Sequence, residues 1–225
     1  MYVFFDCWSS ESNLVFHNVF GRLKEGWRDT FYLLILHLIA LDARVLKFET
    51  RAFFRPCIQP FRASAKIRKM LEIDEKWMRE ALRQAGLAKE CGEVPVGACL
   101  VVANGKLAAA GFNQTITASD PTAHAEILAL RGAASAAGNY RLVGMTMYTT
   151  VEPCAMCAGA LVNARIARLV FGTRDERFGA VESKFRLCDS DVLNHRIDIV
   201  SGVLAEECRK LMQDFFKERR TREPA

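Results

Sequence analysis

The chain has 225 residues, half of them hydrophobic and a quarter charged, enough for one well-packed domain with an appendage, and this composition excludes a fibrous or wholly disordered protein. Its formal charge of +5 is uneven: residues 1–70 carry 11 Lys/Arg against 6 Asp/Glu, whereas residues 71–225 carry 20 of each. Bulk charge therefore makes no case for a nucleic-acid partner, which needs a local basic patch; the tail with Lys217, Arg219, Arg220 and Arg222 is one candidate, and a solvated helix end is the plainer reading of it.

Residues 1–69 hold nine of the fifteen Phe and show no clean strand or helix period outside 31–48. The longest apolar run, 31–41, rises only about 16 Å as a helix against a hydrocarbon core of about 30 Å, so it reads as a buried helix and not a membrane span. The N-terminus lacks a basic region followed by an apolar one, so no secretory signal is expected. Eight Cys, scattered apart from one C-x-x-C, do not resemble a disulfide framework, and a cytoplasmic location is expected. Regular patterning starts at Met70. Residues 1–69 are therefore read as an N-terminal extension of unknown role, either an extra subdomain or the product of an upstream start codon, and residues 70–225 as the main domain.

In that domain Ile73, Trp77, Ala81, Leu82, Ala85 and Ala88 fall at helical spacing, predicting an amphipathic helix over 74–90. A Val-rich strand follows at 94–103. Asn104-Gly105 signals a hairpin to a partner at 106–112. Asp120-Pro121 opens a helix over 123–137. Strands at 145–151, 166–171 and 197–200 and helices at 154–164 and 203–220 complete the chain. This order implies one mixed sheet of about five strands covered by helices on both faces.

The chemistry sits in two short runs. His124-Ala125-Glu126 is followed, 27 residues after Glu126, by Pro153-Cys154-Ala155-Met156-Cys157. Together they match H-x-E … P-C-x-x-C, the known signature of the zinc deaminases. Physical reasons support the match. Two Cys at i and i+3 are neighbours on a helix, and in its first turn the dipole favours thiolates. Two thiolates and a neutral imidazole form a set suited to Zn2+. Three protein ligands leave one position for water, whose pKa zinc lowers to roughly 7. Glu126 then serves as the proton shuttle as hydroxide adds to a ring carbon and ammonia leaves. On an ideal helix Glu126 lies about 200° round from His124, so His124 must occupy an irregular helix start for both to face the metal. The rival reading is a closed structural site with a fourth ligand from Cys91, Cys99, Cys188, Cys208 or His195.

Beyond these motifs, residues 74–220 resemble the bacterial tRNA-specific adenosine deaminases of the cytidine-deaminase-like superfamily. The matching runs are Glu93-Val94-Pro95-Val96-Gly97-Ala98, Asp120-Pro121-Thr122-Ala123-His124-Ala125-Glu126-Ile127, Asn139-Tyr140-Arg141-Leu142 and Glu152-Pro153-Cys154-Ala155-Met156-Cys157-Ala158-Gly159-Ala160. Phe171-Gly172-Thr173-Arg174-Asp175, Asn194-His195-Arg196 and Asp214-Phe215-Phe216 continue the likeness. The resemblance implies a three-layer α/β/α fold, one zinc per subunit, and hydrolytic conversion of adenosine to inosine at the wobble position of tRNA. It implies that Asn113 hydrogen-bonds the flipped base, that Val94, Pro95 and the backbone around Ala125 complete its pocket, and that Asp175 meets a flanking nucleotide. Asn194, His195, Arg196, Phe216, Arg219 and Arg220 would hold the anticodon loop, with the RNA site completed across a homodimer. Plainer roles stand beside these: a turn residue for Asn113, a cap for Asp175, a surface imidazole for His195, and core for one of Phe215 and Phe216. The family usually carries a small Ala-Gly-Ser run after the position of Ala180, where Val181-Glu182-Ser183 stands here, so RNA contacts around 180–190 are left open. The competing functions are deamination of a free base or nucleotide (guanine, cytosine or a riboflavin precursor) and a non-catalytic, zinc-stabilised RNA-binding module.

Overall fold

The computed structural model describes residues 65–222. The expectations for residues 1–64, including the apolar run 31–41, lie outside the described residues. The described elements run α1 (Ala65–Glu90), β1 (Gly97–Val101), β2 (Leu107–Phe112), α2 (Ala125–Ala137), β3 (Thr146–Val151), α3 (Ala155–Ala164), β4 (Arg168–Thr173), β5 (Asp198–Ser201) and α4 (Ala205–Arg222).

The five strands form one sheet in the order β2-β1-β3-β4-β5. β1 pairs antiparallel with both β2 and β3, while β3, β4 and β5 run parallel. Alternation along the strands sorts the core into two layers. Ala98, Leu100, Met147, Leu169 and Phe171 join Ala129, Leu130, Leu161 and Val162 of α2 and α3 on one face. Cys99, Val101, Tyr148 and Val170 join Met78 and Ala81 of α1 and Cys208 of α4 on the other. This is the expected three-layer α/β/α arrangement. Among the described residues no helix is long and apolar enough to cross a membrane.

Two contacts fix α1 to the sheet. At Gly97 an added Cβ would lie 2.1 Å from the Ala81 carbonyl oxygen and 2.3 Å from the Ala85 nitrogen, so only glycine admits the helix at this distance. Buried Asp74 accepts two 2.7 Å bonds from the Arg168 guanidinium and one of 3.0 Å from the Tyr148 hydroxyl.

Several boundaries depart from the expected ones. α1 crosses the expected domain boundary at 69/70 without a break. Its first turns carry good helix formers and no Gly or Pro, but Met70, Leu71 and Ile73 are exposed. Propensity, not burial, extends the helix there, and hydrophobic periodicity is blind to that. β1 is shorter than 94–103. Pro95 can donate nothing to a ladder, and the Val96 amide turns back onto the Val94 carbonyl at 2.7 Å. β4 begins at Arg168, after the expected 166, because the left-handed Arg165 (φ 55°) caps α3 and the Ala167 amide bonds Met145 before the ladder starts. The Asn104-Gly105 hairpin forms as expected, with Gly105 at φ 78°.

Candidate active site

His124 and Cys154 occupy equivalent positions, each the extended residue that precedes a helix: His124 has φ −74°, ψ 152° before α2, and Cys154 has φ −72°, ψ 174° before α3. This is the irregular start that lets His124 and Glu126 turn to the same place. Cys157 lies one turn into α3 and is fully buried. The two helix N-termini converge at the carboxyl end of β3, and their dipoles favour negative charge there. The His124 Nδ1 lies 3.7 Å from the Cys154 Sγ and 3.5 Å from the Cys157 Sγ. Tetrahedral zinc, with sulfur at about 2.3 Å and nitrogen at about 2.0–2.1 Å, sets that separation at roughly 3.6 Å. The donor set therefore fits zinc in both chemistry and spacing.

Among the described residues this is the one group of three or more His, Cys, Asp or Glu side chains that could hold a metal ion. The rival fourth ligands are engaged elsewhere or separated from it. The Cys99 thiol donates to the Trp77 carbonyl, and the His195 Nε2 lies 2.7 Å from the Ile166 carbonyl oxygen. Cys91 is exposed, and Cys188 and Cys208 are buried outside the cluster.

The Cys157 thiol donates to Cys154 and, against the effect of burial, holds that sulfur's pKa at about 4. Cys157 is itself pushed up, because its proton makes that bond. Hydrogen bonding to Cys154 raises the His124 pKa. A divalent cation is the natural replacement for the protons held here. Glu126 is buried, and burial pushes its carboxyl above the ordinary range.

The cluster opens into a cleft of about 730 Å3. His124, Glu126 and Cys154 lie at its base. Val94, Val96 and Asn113 form one wall, the 173–178 loop another, and Met212, Gln213 and Phe216 of α4 border it. Asn113 accepts the Ala125 amide proton on its Oδ1 at 3.0 Å. That bond fixes the side-chain amide, leaving the Nδ2 hydrogens as the free donors beside the cleft.

A profile of the cytidine and deoxycytidylate deaminase zinc-binding region matches residues 71–173. Over 157 residues the chain is 50% identical to a protein named tRNA-specific adenosine deaminase from Haemophilus influenzae, covering 70% of this chain and 90% of that one. A Bacillus subtilis protein of the same name is 43% identical over 152 residues, 68% of this chain and 94% of that one. The chain belongs to the tRNA-specific adenosine deaminase family. A solved structure from a study of A-to-I editing by tRNA:A34 deaminases superposes with a TM-score of 0.59 at 43% identity, covering 60% of this chain and 98% of that one.

Not every residue singled out in the sequence lies at this deaminase's cleft. Val94, Asn113, Asp175 and Phe216 line it; Pro95 and Ala125 do not. Pro95 is buried, and the Ala125 amide is spent on Asn113. Phe215 is core and Phe216 exposed. Arg219 and Arg220 are exposed on the last turns of α4, with the Arg219 guanidinium 5.7 Å from the Phe215 ring centroid. Asn194, His195 and Arg196 lie at the other end of α3. The Asn194 carbonyl accepts from Arg165 and the His195 ring bonds Ile166, just beyond the helix C-terminus. Ten residues of helix, about 15 Å, separate that end from Cys154.

Two functional side chains escaped the sequence reading. Buried Glu93 accepts the amides of Ile116 and Thr117 and the hydroxyls of Thr115 and Thr117, pinning the loop after Asn113. Glu152 accepts the amides of Asp175, Val181, Glu182 and Ser183 and the Ser183 hydroxyl, folding the opposite wall around itself. In each, burial alone would raise the pKa, and these donors outweigh it and hold the carboxyl low. Both stood in runs quoted for the family likeness, but nothing in their local spacing reveals a partner more than twenty residues away. Glu182, the departure from the family pattern, pairs with Arg174 at 2.8 Å, so its charge is met within the chain.

Proposed function

We propose that this chain deaminates adenosine to inosine at the wobble position of tRNA, in the cytoplasm where that substrate resides. The observation that carries the reading is the three-ligand cluster with buried Glu126 beside it at the base of a cleft, in a chain up to 50% identical to proteins named for that reaction. His124, Cys154 and Cys157 would hold zinc, which would supply the Lewis acidity that activates a water at neutral pH. Glu126, with a raised pKa, takes a proton from the attacking water and returns protons to the ring nitrogen and the departing amino group. The fixed Asn113 amide offers its Nδ2 hydrogens to an acceptor on the base. A cleft on this scale takes one extruded base, as chemistry on an atom otherwise buried in a stack requires. The catalytic unit is residues 70–225 together with the first turn of α1 that is continuous with them, and the residues before that helix are an extension to it.

The same reading includes a homodimer. A groove between α2 and α3 is bordered mostly by apolar groups, among them Ile127, Leu130, Tyr140, Met156 and Ala160. A twofold contact through this face sets α3 of one chain against α3 of its partner. An antiparallel pairing of that kind brings Asn194, His195 and Arg196 of one chain toward the partner's cleft and gives those distant residues an RNA role. Exposed Arg219, Arg220 and Phe216 extend the surface along α4.

The test is to incubate the full chain with tRNA bearing adenosine at the wobble position and to analyse its nucleosides by nuclease digestion and mass spectrometry. Inosine at that position is the expected result. Turnover of free guanine or cytidine with no inosine would replace this reading with free-base deamination.

A further inference from the structure

The wall that Glu152 organises ends in an aromatic ring that catalysis does not use. Phe178 is 69% exposed and lines the cleft, as does Phe216 at 43%. A ring so open to water gains nothing from core burial. Its backbone is nevertheless held firmly. The Asp175 carboxylate accepts the amides of Arg177 at 2.9 Å and Phe178 at 3.2 Å, and the Asp175 carbonyl accepts the Gly179 amide at 2.9 Å. Gly179 sits so close to Glu152 that a Cβ there would lie 2.4 Å from the carboxyl carbon. The ring is thus presented on a braced turn. Arg177 lines the same cleft, as do Arg174 and Arg209, whose guanidinium groups pair with Glu182 and Glu206, and the carboxylates of Asp175 and Glu176.

An exposed, preorganised ring beside cations is the combination that grips single-stranded nucleic acid, where unstacked bases lie on aromatic faces and phosphates meet Arg. We propose that Phe178 is a stacking platform for a base next to the target adenosine, holding the flanking strand open once the target has entered the cleft. Asp175 acts as the positioning residue that fixes the turn. The inference rests on the reading that RNA is the substrate, and it adds to that reading the residue that receives a neighbouring base.

The experiment uses the full, zinc-loaded chain with an anticodon stem-loop RNA and with two versions that are abasic immediately 5′ or 3′ of the target. Stacking on an aromatic residue is worth roughly five- to a hundredfold in affinity. F178A should raise KM by about tenfold with a smaller change in kcat, while zinc content stays at one per chain. F178W, which keeps a stacking face, should recover most of the loss. One abasic RNA should raise KM for the natural chain but cause little further rise for F178A, because ring and base form one interaction. Equal abasic penalties in both proteins, or an unchanged KM for F178A, would overturn the proposal and leave the deaminase reading standing. Absence of inosine from the natural chain on intact RNA would remove the reading and this proposal with it.

Discussion

In the proposed mechanism Glu126 both accepts and delivers protons, and its burial suits it to do so. A carboxyl at its ordinary pKa is a weak acid catalyst at neutral pH, and desolvation raises this one. Replacement by Gln keeps the volume and removes the proton exchange. E126Q should retain zinc, measured by atomic absorption, and lose deamination by at least about 10²–10⁴-fold, the usual worth of a positioned acid–base group. Retained activity would move the proton traffic to another group. Most of this chemistry was legible in the sequence, because metal ligation is local: His124 and Glu126 are two apart, Cys154 and Cys157 three, and each pair sits on one helix start. Even the irregular conformation of His124 follows from requiring both side chains of H-x-E to face one ion. The cleft walls were less legible. Which of Asn113 and Ala125 offers a free donor depends on where one amide hydrogen points, and the Ala125–Asn113 bond joins residues twelve apart.

At the scale of elements, two loops form the cleft and each is wound on one buried carboxylate. Glu93 is the cleaner test, because, unlike Glu152, it is not next in sequence to the Pro153-Cys154 ligand run. Its pKa is held below the ordinary glutamate value. The stabilisation it contributes is therefore fully present above about pH 4.5 and is lost as pH falls through the lower folded-state value. Hydrogen exchange at the Ile116 and Thr117 amides should accelerate in that acid range. E93Q should remove the pH dependence and cost about 2–3 kcal/mol at neutral pH, because an amide group would meet donors and leave them unpaired. Slow, pH-independent exchange at those amides would show that the loop is held by something else. The elements themselves were largely legible: β2, α2, β3, α3, β4, β5 and α4 lie within two residues of expectation. The larger departures lie where other forces decide, as in the propensity-driven start of α1 and the Pro95 turn before β1.

For the whole molecule, the question is how residues at opposite ends of α3 would serve one RNA under the proposed function. The proposed dimer through the α2–α3 face would answer it, and Ala160, which lines that groove, is the place to probe it. A160R should convert a dimer to a monomer in analytical ultracentrifugation, with zinc retained and KM for tRNA raised. A natural chain that is monomeric at all concentrations would remove the cross-interface role for Asn194, His195 and Arg196. Only the family resemblance marked these residues in the sequence; within one chain they lie beyond the C-terminus of α3, away from the cleft.

Each of these expectations depends on one ion in one place. The most direct measurement strips the full chain of metal, titrates zinc back and follows inosine formation in wobble-adenosine tRNA at each step. The account predicts no activity without metal, a linear rise and a plateau at one zinc per chain, with the C154A protein inert throughout. Inosine formed at full rate by the stripped chain, or a plateau that C154A also reaches, would contradict it.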